Sequence, residues 1–245
     1  ADLVATRMDV PVKTIIRRGV DYPAGSSIPV LDFGSSEPFA LESNTVTVNR
    51  GNDFDFSVEN RIVTERGTIS LLYYANASSG ASLTMFSAPE SKLTDRELQF
   101  LTVYAPNARE AVVFYRHPSD RTVTLGPDAS AATRTVIGTA PDLTTRFDMP
   151  SQPEYGSQVS FLLCVPQPAP PEVPARIVAT KEYFGGTPTS WSVTTPDLKS
   201  VDGYPTWGPD ARLGGLCMAT VSGRPYLLTP QSAHDGDTYL TASPR

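Results

Sequence analysis

Thr45-Val46-Thr47-Val48 and, a few residues on, Asp53-Phe54-Asp55-Phe56-Ser57-Val58 alternate polar and apolar side chains at a period of two. Successive side chains of an extended strand point to opposite faces, so this spacing puts one set on a core and the other in solvent. A helix would need its apolar set three and four residues apart, which neither stretch offers. The reading extends outward from there. Residues 68–74, 82–86, 111–115, 121–125, 133–137, 145–149 and 158–165 behave the same way, and 176–180, 190–194, 216–221, 226–228 and 238–241 follow them. Most are bounded by Gly, Pro, Asn, Asp or Ser, as strand ends should be. They are rich in Thr and Val, whose branched Cβ suits a pleated surface. The expected fold class is all-β, a β-sandwich with long loops.

Composition agrees. Of 245 residues, 40% are hydrophobic and 19% charged, enough apolar material for a core. Seventeen glycines and 23 prolines leave little room for long helices. One helix is expected, because Thr94-Asp95-Arg96-Glu97 has capping-box spacing and Leu93, Leu98 and Leu101 would line one face; it would end before Pro106. Residues 1–40 hold Pro11, Pro23, Pro29 and Pro38 with two Gly-Ser-Ser runs. They read as an extended N-terminal arm needing another surface to lie on. Residues 41–245 then form the folded domain, with Pro166-Gln167-Pro168-Ala169-Pro170-Pro171-Glu172-Val173-Pro174 as a long surface loop inside it. No apolar run is long enough to span a membrane, and the opening residues do not follow a signal-peptide pattern. The chain opens Ala1-Asp2-Leu3 without Met, which reads as release by proteolysis or trimming.

Little in the sequence points to chemistry. The net charge is −6, which argues against a dedicated nucleic-acid binder. Arginine outnumbers lysine 16 to 4, a bias that suits protein surfaces meant to be covered. Only His117 and His234 could serve as imidazole bases, and no Gly-x-Ser-x-Gly elbow accompanies them. Ser232, His234 and Asp235 are too local for a triad. Asp235-Gly236-Asp237 is a fragment of a calcium loop without its remaining ligands. Asp53, Asp55, Glu59 and Glu65 lie on or near strands and read as surface carboxylates rather than a glycosidase pair. Gly185-Gly186-Thr187 and Gly214-Gly215-Leu216 lack the flanks of a phosphate cradle, and Arg17-Arg18 and Phe114-Tyr115-Arg116 are isolated. Cys164 and Cys217 sit in apolar runs and read as buried thiols, and spacing alone does not decide whether they pair. Asn76-Ala77-Ser78 is a formal glycosylation sequon. No catalytic, cofactor-binding or metal-binding residue is assigned, and the chain is read as not an enzyme.

Three stretches carry a family resemblance. Val12-Lys13-Thr14-Ile15-Ile16-Arg17-Arg18 is similar to the basic-hydrophobic segment before the first strand in capsid proteins of picorna-like RNA viruses: dicistroviruses, iflaviruses and their marnavirus-like algal relatives. Glu65-Arg66-Gly67-Thr68-Ile69-Ser70-Leu71-Leu72-Tyr73 looks like their Arg-Gly-Ser-hydrophobic strand. Thr145-Arg146-Phe147-Asp148-Met149-Pro150, followed by Tyr155 and the run 158–165, resembles their strand ending in a proline and an aromatic. The resemblance covers about residues 10–165. It implies an eight-stranded jelly roll, cut from a polyprotein, in a pseudo-T=3 icosahedral shell. The partners it implies are other capsid subunits, with weak or indirect contact to genomic RNA, a host receptor, and no membrane span. The place it implies is the virion, and the host cytoplasm during assembly. Two other functions fit a β-sandwich. One is a carbohydrate- or receptor-binding module, such as a viral spike or lectin-like domain, using Trp191 and Trp207 as stacking platforms. The other is a hydrolase with spatially assembled carboxylates.

Overall fold

The computed structural model describes residues 1–21, 23, 25, 27, 29–49, 56–77, 82–105, 108–137, 144–164, 175–194, 215–223 and 232–243, with backbone only for 72–77, 144, 163–164, 175 and 215–218. It is predominantly β. The chain divides into two compact units: residues 1–106, 110–125 and 227–239, and residues 107–109, 126–226 and 240–245. Residues 1–40 fall within the first unit.

The first unit contains strands β1 (Leu3–Arg7), β2 (Lys13–Arg17), β3 (Phe39–Ala40), β4 (Glu42–Asn49), β5 (Phe56–Thr64), β6 (Gly67–Ala77), β7 (Ser82–Ser87), β8 (Leu98–Ala105) and β10 (Arg121–Thr124), and most of β9 (Arg109–Tyr115). The second contains β11 (Thr133–Ile137), β12 (Thr144–Pro150), β13 (Gln158–Cys164), β14 (Ala175–Thr180), β15 (Ser190–Thr194) and β16 (Gly215–Ser222); β17 spans Thr238–Ala242. In the second unit β13 lies between β14 and β16, and in the first β5 lies between β6 and β8, all antiparallel. Three further sheets have the orders β1-β2-β3, β10-β4-β7 and β11-β12-β15.

The alternation seen in the sequence has its expected cause. On β4, Asn44, Val46 and Val48 are buried while Thr45 is exposed. In the first unit, Val12, Leu41, Ile62, Leu71, Ala88 and Leu93 form one apolar cluster. Val63, Phe100, Val112 and Phe114 form a second, with Ala233 and Tyr239 packed against it. In the second unit, Phe147, Met149, Tyr155, Phe161, Trp191 and Val193 belong to one cluster.

Two expectations are corrected. Residues 94–101 are not a helix: they make a turn followed by β8. The capping contacts are real, since Thr94 N–H donates to Glu97 Oε2 at 2.9 Å and Glu97 N–H to Thr94 O at 3.1 Å. They close a single turn. A cap contributes about 1 kcal/mol, whereas burying Phe100, Leu101 and Val103 on β8 contributes ~1.5–3 kcal/mol each. The larger sum decides for the strand. The second correction concerns the arm. Residues 3–17 are an antiparallel hairpin, registered from Leu3↔Arg17 to Arg7↔Lys13. Val12 and Ile15 are buried, and Val12 packs with Leu41, Ile62 and Leu71 of the same unit. Apart from Pro11, between the two strands of the hairpin, the prolines and the Gly-Ser-Ser runs lie at residues 23–38. The Pro-rich stretch 166–174 and the run 226–228 lie outside the described residues.

Candidate functional site

A cluster of charged residues in the first unit surrounds the turn at residues 90–97, between β7 and β8. Two guanidiniums hold it. Arg18, one residue past β2, donates from Nε and Nη2 to the two oxygens of Glu97, each at 2.6 Å, and from Nη2 to Lys92 O at 2.8 Å. Arg116, one residue past β9, donates from Nε to Glu90 Oε1 at 2.8 Å. Its Nη1 reaches the carbonyls of Thr94 (3.0 Å), Asp95 (3.2 Å) and Glu97 (3.2 Å). Bidentate, charge-assisted bonds of this kind fix both position and orientation. The Glu97 side chain is only 2% exposed, so its charge is neutralised where it is buried.

A cleft of about 320 Å³ opens beside this turn, lined by Asp2, Arg18, Glu65, Arg66, Arg96 and Glu97 among others. Burial pushes the Asp2 carboxyl up, but the Gly19 backbone N–H at 2.8 Å, the Thr64 hydroxyl and the Arg66 guanidinium at 3.3 Å outweigh it and leave it below its ordinary value. Both carboxylates that line the cleft, Asp2 and Glu97, are already paired with guanidiniums. They act as ties between segments rather than as proton donors.

A second cluster lies on β5, β6 and β8. Glu59 accepts from Arg61 Nη2 at 2.6 Å and from Ser70 Oγ at 2.7 Å. Desolvation raises its carboxyl, and these two donors more than reverse the shift. The Tyr104 hydroxyl is pushed up by burial and by the Glu110 charge. A third, buried and neutral network links β4, β7, β9 and β5. Asn44 Nδ2 donates to Ser87 Oγ at 2.8 Å, the Ser87 and Tyr115 hydroxyls are 2.9 Å apart, and Tyr115 Oη donates to Asn60 Oδ1 at 3.0 Å.

The residues singled out from the sequence scatter among these features. His117 is 75% exposed with Nδ1 2.8 Å from Glu90 Oε2. His234 is 86% exposed, 3.7 Å from Asp237. Asp235 accepts from the Arg116 backbone N–H at 3.0 Å, so its carboxylate orients the backbone after β9. Glu65 is exposed and pairs with Arg96 at 3.1 Å. Among the described residues no three His, Cys, Asp or Glu side chains are placed to hold a metal ion. Asp53, Asp55 and Trp207 lie outside the described residues, as do the side chains of Cys164, Cys217 and Asn76; Ser78 does too. Gly185 and Gly186 adopt positive φ (83° and 99°) and close the short turn Lys181–Phe184.

Trp191 is not a stacking platform. It is fully buried on β15, registered opposite Met149, with the Phe184 ring edge-on at 5.3 Å. Alternation places it inward, because Ser190 and Ser192 take the outward positions.

The Arg18 and Arg116 clamps were not readable from the sequence. Their carboxylates, Glu97 and Glu90, lie 79 and 26 residues away. Only the excess of arginine over lysine hinted at them. Among the described residues no helix is long and apolar enough to cross a membrane. No protein family, curated protein or solved structure matches this chain.

Proposed function

We propose that this chain is a structural subunit of an icosahedral RNA-virus capsid, of the jelly-roll class, that assembles with other capsid proteins around the genome. Two features support the reading. The segments that carry the family resemblance fall on strands: Val12–Arg18 contains β2, Glu65–Tyr73 runs into β6, and residues 145–164 contain β12 and β13. Nine arginines, at 7, 17, 18, 61, 66, 96, 109, 116 and 146, pair with carboxylates of the same chain. Guanidiniums used in this way brace the β units and are not held out for phosphates, which fits a subunit making weak contact with RNA.

The observation that carries the proposal is strand β11. All five of its residues are exposed although it belongs to a sheet. A strand uncovered on both faces is a surface that a neighbour completes. The test is the particle size of the native material by electron microscopy or light scattering. Closed shells of uniform diameter are expected. A discrete monomer at every concentration would overturn the proposal and favour a binding module.

A further inference from the structure

Strand β15 closes one end of its sheet, and among the described strands only β12 pairs with it. The phase of that pairing is fixed. Ser151 N–H donates to Thr189 O at 3.1 Å, and the register runs unbroken from Pro150↔Ser190 to Arg146↔Thr194. Ladder bonds alternate along an antiparallel pair, so Trp191 and Val193 turn their backbone groups to β12 and Ser190, Ser192 and Thr194 turn theirs away. No hydrogen bond among the described residues reaches these outward groups. The side chains of Ser190, Ser192 and Thr194 are exposed, while Trp191 and Val193 are buried on the opposite face. Ser192 Oγ donates to Asp148 Oδ1 at 2.7 Å, which leaves the backbone of Ser192 as its free group. Natural edge strands are protected by lysine, proline, an inward charge or a bulge. β15 reads Ser-Trp-Ser-Val-Thr, with no charge, no proline and no register shift.

We propose that the free edge of β15 pairs with the β15 edge of a second copy of this chain, antiparallel about a two-fold axis through Ser192. The strand's phase and sequence select this occupant. Outward groups must meet outward groups, which confines the axis to a residue, and only an axis at Ser192 pairs the strand along its whole length. About that axis Ser190 stands opposite Thr194 on the exposed face. On the buried face Trp191 stands opposite Val193, an aromatic against a β-branched side chain, the kind of cross-strand pair that stabilises sheets. An axis at Trp191 would oppose two indoles instead. The two-fold stands perpendicular to the sheet, so the wet face of one copy continues the wet face of the other. The apolar cluster of Phe147, Met149 and Trp191 likewise continues on the dry side. A two-fold that set the strands parallel would run along them and join a wet face to a dry one. The antiparallel contact is isologous and closes on itself. It presupposes the reading that this chain works by associating with copies of itself and its kin, and it is tested separately from the shell.

The test is cysteine cross-linking of the full-length chain, with the unmodified chain as control for the native cysteines. Facing residues of a hydrogen-bonded antiparallel pair have Cα atoms about 5.5 Å apart, within the span of a disulfide. Ser192→Cys is expected to form a covalent dimer on oxidation. Ser190→Cys and Thr194→Cys, each about 14 Å from its own counterpart, are expected to match the control when alone and to cross-link when mixed. Ser192→Pro removes an N–H that the described ladder does not use, and should weaken self-association about tenfold in sedimentation. A Ser192→Cys chain with native circular dichroism and no excess dimer would overturn the pairing. So would equal yields from Ser190→Cys alone and from the mixture, or unchanged association of a folded Ser192→Pro chain. Should the variants at 192 not fold, the mixture decides: excess dimer supports the pairing and none overturns it. Any overturning outcome from material that still forms shells counts against β15 alone. The expected dimer from material that forms no shell counts against the capsid reading alone.

Discussion

Gly126 shows how tightly single residues are constrained in the second unit. A Cβ there would overlap the Tyr155 hydroxyl and stand 2.9 Å from its Cζ and 3.2 Å from Leu240 Cδ1. Tyr155 cannot yield easily, because it is fully buried and its hydroxyl donates to Pro127 O at 2.6 Å. Gly126→Ala is therefore expected to cost about 1–3 kcal/mol, read as a lower urea midpoint at unchanged slope. The same tyrosine gives a pH signature. Burial pushes its hydroxyl up to about 12 from an ordinary value of 10.0. Between these values the unfolded chain loses a proton that the folded chain keeps, so stability must fall as pH rises through that window. The loss amounts to roughly 2–3 kcal/mol. Urea midpoints of the wild type should drop across this range, and those of Tyr155→Phe should drop less.

At the scale of elements, the N-terminal hairpin and the turn at 90–97 are the parts that sequence reasoning misread, and both are open to test. Ile15 is fully buried on β2, so Ile15→Ala should cost about 2–4 kcal/mol and should speed amide exchange in β1 and β2 first. Val10, 97% exposed at the hairpin tip, should tolerate serine within about 0.5 kcal/mol. Glu97→Gln leaves the Arg18 guanidinium facing a neutral amide in a mostly buried position. It is expected to cost about 2–4 kcal/mol, measured by thermal or urea unfolding. Strands with one wet and one dry face were legible, and period-two patterns located β4, β7, β10, β12 and β15 closely. β8 was not, because Gln99, Phe100, Leu101, Thr102 and Val103 are all buried and the alternation vanishes. Gln99 hides in that run by bonding both the N–H and the carbonyl of Ala88, like a piece of backbone. Its polarity therefore signalled exposure where there is none. The charged clusters were illegible for a different reason: an ion pair between residues 79 positions apart leaves no local pattern.

Across the whole molecule, the paired carboxylates set the acid limit of stability. Asp2 and Glu59 are both held below their ordinary values of 3.8 and 4.5 by the donors around them. Their stabilisation is complete above those values and is lost as pH falls through the lower, folded ones. Thermal midpoints should hold level on the acid side down to about pH 5 and then decline. Glu59→Gln should flatten the decline while lowering the plateau, and a decline of unchanged steepness would show that other groups govern it.

The first unit is also closed by residues from near the end of the chain. Phe114 N–H donates to Asp237 O at 2.8 Å, Gly236 N–H to Phe114 O at 3.0 Å, and Asp235 orients Arg116 from 119 positions away. Translation delivers β9 long before it delivers these residues. Until they arrive, Phe100 and Phe114 lack the cover of Ala233 and Tyr239. A nascent polypeptide halted before Ser232 should therefore bind chaperones and yield to protease, and should become resistant once residues 232–239 have emerged from the ribosome.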